Sequence, residues 1–205
     1  MHAAIPPALR VGLVHECGGA ALLLLAEDGA AGQTIAQELV GQLQQRDWDG
    51  DQVLADLLTS ATGGPPTGRP ALKVDLDALA DVRSDATGGW LDLREGLCWP
   101  QEVFDDADPE IAGDPDESPD RWLEVDSEGS RPGWQDMSDF VETLDDPAAV
   151  ADLTTAIHGT GAFRRFQQAL DRHEEYRAAW RVHTSERRTA RARAWLAESG
   201  YDAVP

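Results

Sequence analysis

Leu91-Asp92-Leu93-Arg94-Glu95-Gly96-Leu97-Cys98-Trp99-Pro100 is the stretch on which the fold depends. Leu91 and Leu93 alternate with Asp92 and Arg94, the period of two expected of a strand with one face on a core. Arg94-Glu95-Gly96 supplies a turn, Leu97 to Trp99 run back, and Pro100, which lacks a backbone N–H, stops the run. The whole reads as a β-hairpin. A third strand is expected at Arg121 to Val125, where Trp122 and Leu123 are adjacent and Val125 restores the alternation. Helical periodicity governs most of what remains. The expected class is therefore α+β, a small antiparallel sheet of hairpin and third strand packed against several helices.

Upstream of the hairpin, Ile35, Leu39 and Leu43 recur every four residues between Thr34 and Arg46, as in an amphipathic helix. A second helix is expected at Asp51 to Ser60 with Val53, Leu54, Leu57 and Leu58 on its buried face. Before these, Val11 to Val14 and Ala20 to Ala26 fit either strands or one short buried helix. Gly63-Gly-Pro-Pro-Thr-Gly-Arg-Pro70 combines residues that neither a helix nor a strand interior tolerates. The expected division is a mainly helical N-terminal extension (1–62), a Gly/Pro linker (63–71) and an α+β domain (72–205) that ends in helices.

Downstream, Trp134, Met137, Val141 and Leu144 step by three and four residues with Phe140 beside them. Asp146-Pro147 then starts a helix, Asp as N-cap and Pro as first helical residue. It is expected to run to about His158 and to end at a left-handed Gly159. Thr160 is expected to cap the next helix, which buries Phe163, Phe166 and Leu170. A last helix is expected from Ser185 to Ser199, before Gly200.

Charge separates the two ends of the chain. Acids number 38 against 17 Lys and Arg, a formal net charge of −21. Residues 1–150 hold 31 acids and 8 bases, net −23, whereas residues 151–205 hold 7 acids and 9 bases, net +2. Such a field repels nucleic-acid phosphates and anionic membranes and favours basic partners and cations. Cys17 and Cys98 lie far apart and make no Cys-x-x-Cys spacing, so they read as reduced, buried thiols. Ala20 to Ala26 is too short to span a bilayer, and His15, Glu16 and two glycines interrupt the apolar run that a signal peptide needs. A cytoplasmic location without membrane contact is expected.

At Gly159-Thr-Gly-Ala-Phe-Arg-Arg-Phe166 the chain resembles an uncharacterised bacterial family, number 158 of the UPF series. The resemblance extends to Leu91-Asp-Leu93 with its turn, Met137-Ser-Asp-Phe140 and Trp195-Leu196 before Gly200, and covers about residues 72 to 203. Lys is usual in the family at the place of Gln167, and the change removes one positive charge. The resemblance implies an α+β domain and no activity.

Several groups of residues invite a chemistry. Gly159, Thr160, Gly161, Arg164 and Arg165 place a turn and two cations at a helix N-terminus, where free N–H groups and the helix dipole attract anions. Alternatively the turn is punctuation between packed helices and its arginines pair with the acidic body. The same segment has the look of a helix-turn-helix exposing Arg164, Arg165, Gln168 and Arg172, which the net charge opposes. His183, Arg187 and Arg191 fall at four-residue spacing, a basic stripe suited to docking on acidic surface. Asp47 to Asp51 fails as a calcium loop, since Gly50 comes fourth where the sixth position is needed and Leu58 stands at the twelfth in place of glutamate. His15-Glu16-Cys17 reads as a local accident rather than a metal or nucleophile site. Asp105 to Asp120 holds eight acids and three prolines and reads as a solvated loop. No metal and no cofactor are expected, and no Ser-His-Asp, P-loop or paired-carboxylate signature supports an enzyme. The reading is a non-enzymatic acidic binding or regulatory module that interacts with another protein. A phosphorylated, nucleotide-like small molecule at the Gly-x-Gly turn is the alternative, and DNA binding the second.

Overall fold

The computed structural model describes residues 12–27, 29–107 and 114–205. It contains two compact units, one formed up to Ser127 together with Glu186–Pro205, the other by Glu128–Ser185. The hairpin is present as β2 (Gly89–Asp92) and β3 (Leu97–Pro100), and the third strand as β4 (Trp122–Val125). The order is β3-β2-β4, all antiparallel, with Leu91 opposite Cys98 on one side and Leu123 on the other. Gly96 closes the turn at φ 69°, and a Cβ there would collide with the Lys73 carbonyl oxygen. Only glycine suits both demands.

A second sheet was not legible in the sequence. β1 (Ala71–Lys73) pairs in parallel with β5 (Asp202–Val204), Leu72 opposite Ala203. Strands of three residues show no period, and their partners lie at distant points of the chain. Between the sheets comes α4 (Leu76–Ser84), capped by Asp75, which accepts from the Asp77 and Ala78 N–H groups at 2.9 and 3.2 Å. Short α5 (Gln101–Asp105) follows the hairpin. Leu72, Val74, Leu79, Leu91, Val125 and Leu196 form the core around these strands.

The open choice near the N-terminus resolves to helix. α1 (Val14–Glu27), α2 (Gly29–Arg46) and α3 (Asp51–Ala61) bury Cys17, Ala21, Leu24, Leu39, Leu43, Leu54 and Leu58 in a core of their own. Val53 and Leu57 are only half-buried, so the buried face of α3 is Leu54, Ala55 and Leu58. Residues 63–70 are irregular, as their composition demands, yet the three helices belong to the same compact unit as both sheets. Residue 11, and residues 108–113 of the expected acidic loop, lie outside the described residues. Among the described residues no helix is long and apolar enough to cross a membrane.

The second unit is helical. α6 (Arg131–Glu142), α7 (Pro147–Ile157) and α8 (Ala162–Leu170) enclose Met137, Phe140, Val141, Leu153, Phe166 and Leu170, with Trp180 stacked edge-on to Phe140 and Phe166. Asp146 caps α7 through the Ala148 N–H at 3.0 Å. Three expectations need correction. Thr160 does not cap α8; that place falls to Gly161 at φ 77°, with no side-chain bond. Phe163 is 46% exposed, its ring against Gly133, and Ala162 is buried instead. α9 runs Arg177–Glu198 and starts well before Ser185, and the added turns bury Trp180.

Candidate ligand site

The Gly159–Arg165 turn gathers all five residues expected of an anion site, but one of its cations points inward. Arg165 donates from Nε to the Ala156 carbonyl at 3.2 Å and from its Nη atoms to the carbonyls of His158, Gly159 and Thr160. It thereby satisfies acceptors that α7 leaves open at its C-terminal end. Trp134 braces the same turn, its Nε1–H donating to the Ile157 carbonyl at 2.9 Å. Arg164 is exposed. Of the other cations expected on this face, Arg172 is bound by Asp152 through Nε and Nη2 of one guanidinium edge, at 3.1 and 2.9 Å. In the basic stripe, Arg187 lies over the Trp48 ring, 4.9 Å from its centroid.

The first unit builds a denser arrangement from residues that carried no motif. Asp51, at the start of α3, is 1% exposed and accepts from Arg46 Nε at 2.9 Å, from Arg46 Nη2 at 2.6 Å, from the Trp48 N–H at 3.0 Å and from His15 Nε2 at 3.0 Å. Burial alone would raise the Asp51 carboxyl, but the bonds from Arg46 and His15 bring it down to about 2. Glu186, on α9, receives the His15 backbone N–H on both oxygens at 3.0 and 3.1 Å and Arg46 Nη1 at 3.2 Å. Burial still holds its carboxyl above the usual range.

The tautomer of His15 follows from its neighbours. Arg193 Nε donates to His15 Nδ1 at 3.3 Å, and a guanidinium can only donate, so Nδ1 is the acceptor and Nε2 carries the hydrogen that Asp51 receives. Burial, against the pull of the Asp51 hydrogen bond, lowers the imidazole to about 4. His15 is neutral at pH 7 with both ring nitrogens engaged. Arg193 is 3% exposed, and its Nη1 donates to the Ala203 carbonyl at 3.2 Å.

His15 and Arg193 of this network line a cleft of about 540 Å³. His15 and Glu16 of α1, Lys73 of β1, Asp75 after it, Glu95 of the hairpin turn and Arg193 of α9 line it. Val74, Leu76 and Val204 give it an apolar part, and Asp77, fixed by the Thr189 hydroxyl at 3.0 Å, adds a fourth carboxylate. The volume falls in the range of small-ligand sites, and the mix of apolar floor and a few placed charges is typical of them.

A model of an uncharacterised protein family, UPF0158, matches residues 72–204. The chain belongs to this family. The UPF0158 match opens at β1 and closes at β5, so it contains both strands of the parallel pair together with Glu186 and Arg193. His15, Glu16, Arg46 and Asp51 come from the helices before it. The cleft is thus a joint product of the family segment and the N-terminal helices. No curated protein and no solved structure matches the chain.

Sequence reading missed this site for a definable reason. Glu186, Thr189 and Arg193 follow a three- and four-residue step that continues to buried Leu196. They are polar residues on the core-facing stripe of α9, and that misplacement is the signal. Burial pushes the Cys17 thiol up to about 11 and that of Cys98, which is half-buried rather than buried, up to about 12. Among the described residues one group has metal-ligand composition, Asp146, His173 and Glu175, with one atom of each within 4.8 Å of the others. Asp146 already caps α7, and His173 Nε2 is bonded to Asp152 at 3.2 Å.

Proposed function

We propose that the protein is a non-enzymatic binding and regulatory module that recognises another protein through the cleft of its first unit. The observation that carries this reading is the convergence of four carboxylates, Glu16, Asp75, Asp77 and Glu95, on one partly apolar cleft. A basic segment fits that surface, its lysine or arginine stems on Val74, Leu76 and Val204 and its charges on the rim. The engaged state of His15 supports binding over proton transfer, since a general base needs a free lone pair near neutral pH. The carbonyl-bound Arg165 lends little to a phosphate site at the Gly159 turn. The net charge of −21 and two protonated thiols accord with action on basic partners in the cytoplasm.

Affinity capture with the full chain, run at low and at moderate salt, tests the reading. Partners held through the rim depart as salt screens the charges, and Glu16→Gln with Glu95→Gln removes them at low salt. A partner set indifferent to salt and to the double substitution would overturn it.

A further inference from the structure

Arg193 is an unusual cation. At 3% exposure an arginine is normally held by a carboxylate. Here its two hydrogen bonds go to neutral acceptors, His15 Nδ1 and the Ala203 carbonyl, and it forms no ion pair among the described residues. The nearest acids are occupied elsewhere. Glu186 is bound by the His15 N–H and Arg46, and Asp202 by Arg69 Nε at 2.8 Å and the Thr67 hydroxyl. Nη2 of Arg193 is left without a hydrogen-bond partner among the described residues, and Arg193 stands on the cleft wall.

Resting on the binding reading above, we infer that the cleft captures the C-terminal end of a basic protein tail, its terminal carboxylate on Arg193 Nη2 and its lysine or arginine side chains facing Glu16 and Glu95. Glu186 and Asp202 act on the guanidinium only through space, and a carboxylate on Nη2 supplies the direct, charge-assisted acceptor that its two hydrogen bonds do not. A phosphate is the poorer guest, because its second charge meets four lining carboxylates against the two cations Lys73 and Arg193, whereas a basic tail brings cations to meet them. A cleft of 540 Å³ is larger than one free amino acid fills, and capture of a chain terminus is an established mode of peptide recognition. Burial lowers the Arg193 guanidinium to about 10, which leaves it cationic at pH 7 and stabilised further by any anion that reaches it.

The test is fluorescence polarisation of the full chain with N-terminally labelled pentapeptide pools rich in arginine and lysine, made once as free acids and once as C-terminal amides. The acids are expected to bind about tenfold tighter than the amides. Arg193→Gln is expected to erase that difference while leaving the weaker, salt-sensitive binding of the amides. If Arg193→Gln fails to fold, the acid-to-amide ratio on the unaltered chain decides alone. Equal binding of acids and amides overturns the inference and leaves the basic-partner reading standing. Absence of binding by both pools overturns that reading as well. Displacement of the peptide by free arginine at equal molar affinity overturns the assignment to a protein tail.

Discussion

The Gly159 turn of the second unit and the cleft of the first each present a cationic arginine beside a helix, yet they differ in how many of its donors folding has used. Arg165 has a carbonyl for its Nε and for both of its Nη atoms, so its charge is spent inside the turn. Arg193 is more deeply buried and keeps one nitrogen unbonded among the described residues. A local pattern of glycines and arginines thus marks a helix junction, while an ordinary-looking arginine on a core-facing stripe keeps a donor that folding leaves open. What separates a structural cation from a binding one is the donor count left after folding.

The sharpest break of this contrast lies at Asp51. Asp51→Ala leaves buried His15 Nε2 without its acceptor and half-buried Arg46 with Glu186 alone, and a loss of roughly 3–5 kcal/mol in urea unfolding is expected. Asp152→Ala, at the surface of the second unit, is expected to cost less than about 1 kcal/mol, since its ion pairs are solvent-exposed. Comparable losses from the two would erase the distinction between the regions.

Acid acts on the first unit next. The folded pKa of His15, about 4, lies below its unfolded value of 6.5, so the unfolded chain binds more protons between them. Its contribution is complete above pH 6.5 and is lost as pH falls toward 4. At about 1.4 kcal/mol per unit this amounts to roughly 3 kcal/mol from one residue. Asp51 extends the loss below its ordinary value of 3.8 toward 2. Urea midpoints that stay level from pH 6.5 to 4 would contradict a buried neutral His15.

Smaller effects probe the turn. Arg165→Gln removes several donors at once but at a partly exposed site, and about 1–2 kcal/mol is expected, read as faster hydrogen exchange in α7 and α8. Arg164→Gln, one residue earlier and exposed, is expected to change stability by under about 0.5 kcal/mol. A reversed order of the two arginines would show that the carbonyl cluster is not what holds the turn.

The hairpin, the third strand and most helices were legible in the sequence because each carries its own period, and Asp146-Pro147 and Gly159 carry their own cap chemistry. The parallel pairing of Ala71–Lys73 with Asp202–Val204 was not, since nothing within three residues names a distant partner. Phe163 misled because residue type is a weaker guide than the face on which it falls. The candidate site was hidden more deeply. His15, Arg46, Asp51, Glu186 and Arg193 are assembled from four helices, α1, α2, α3 and α9, and only their polar placement on apolar stripes announced them.

The claim on which all this rests is that the polar residues beside the cleft are locked, leaving it to bind rather than to move protons. Long-range ¹⁵N correlation spectra of the His15 ring, followed through a pH titration, test it directly. The account predicts a single Nε2–H tautomer that persists on acidification until about pH 4. A ring that titrates near 6.5, or that exchanges between tautomers at neutral pH, would contradict it and return a general base to the cleft.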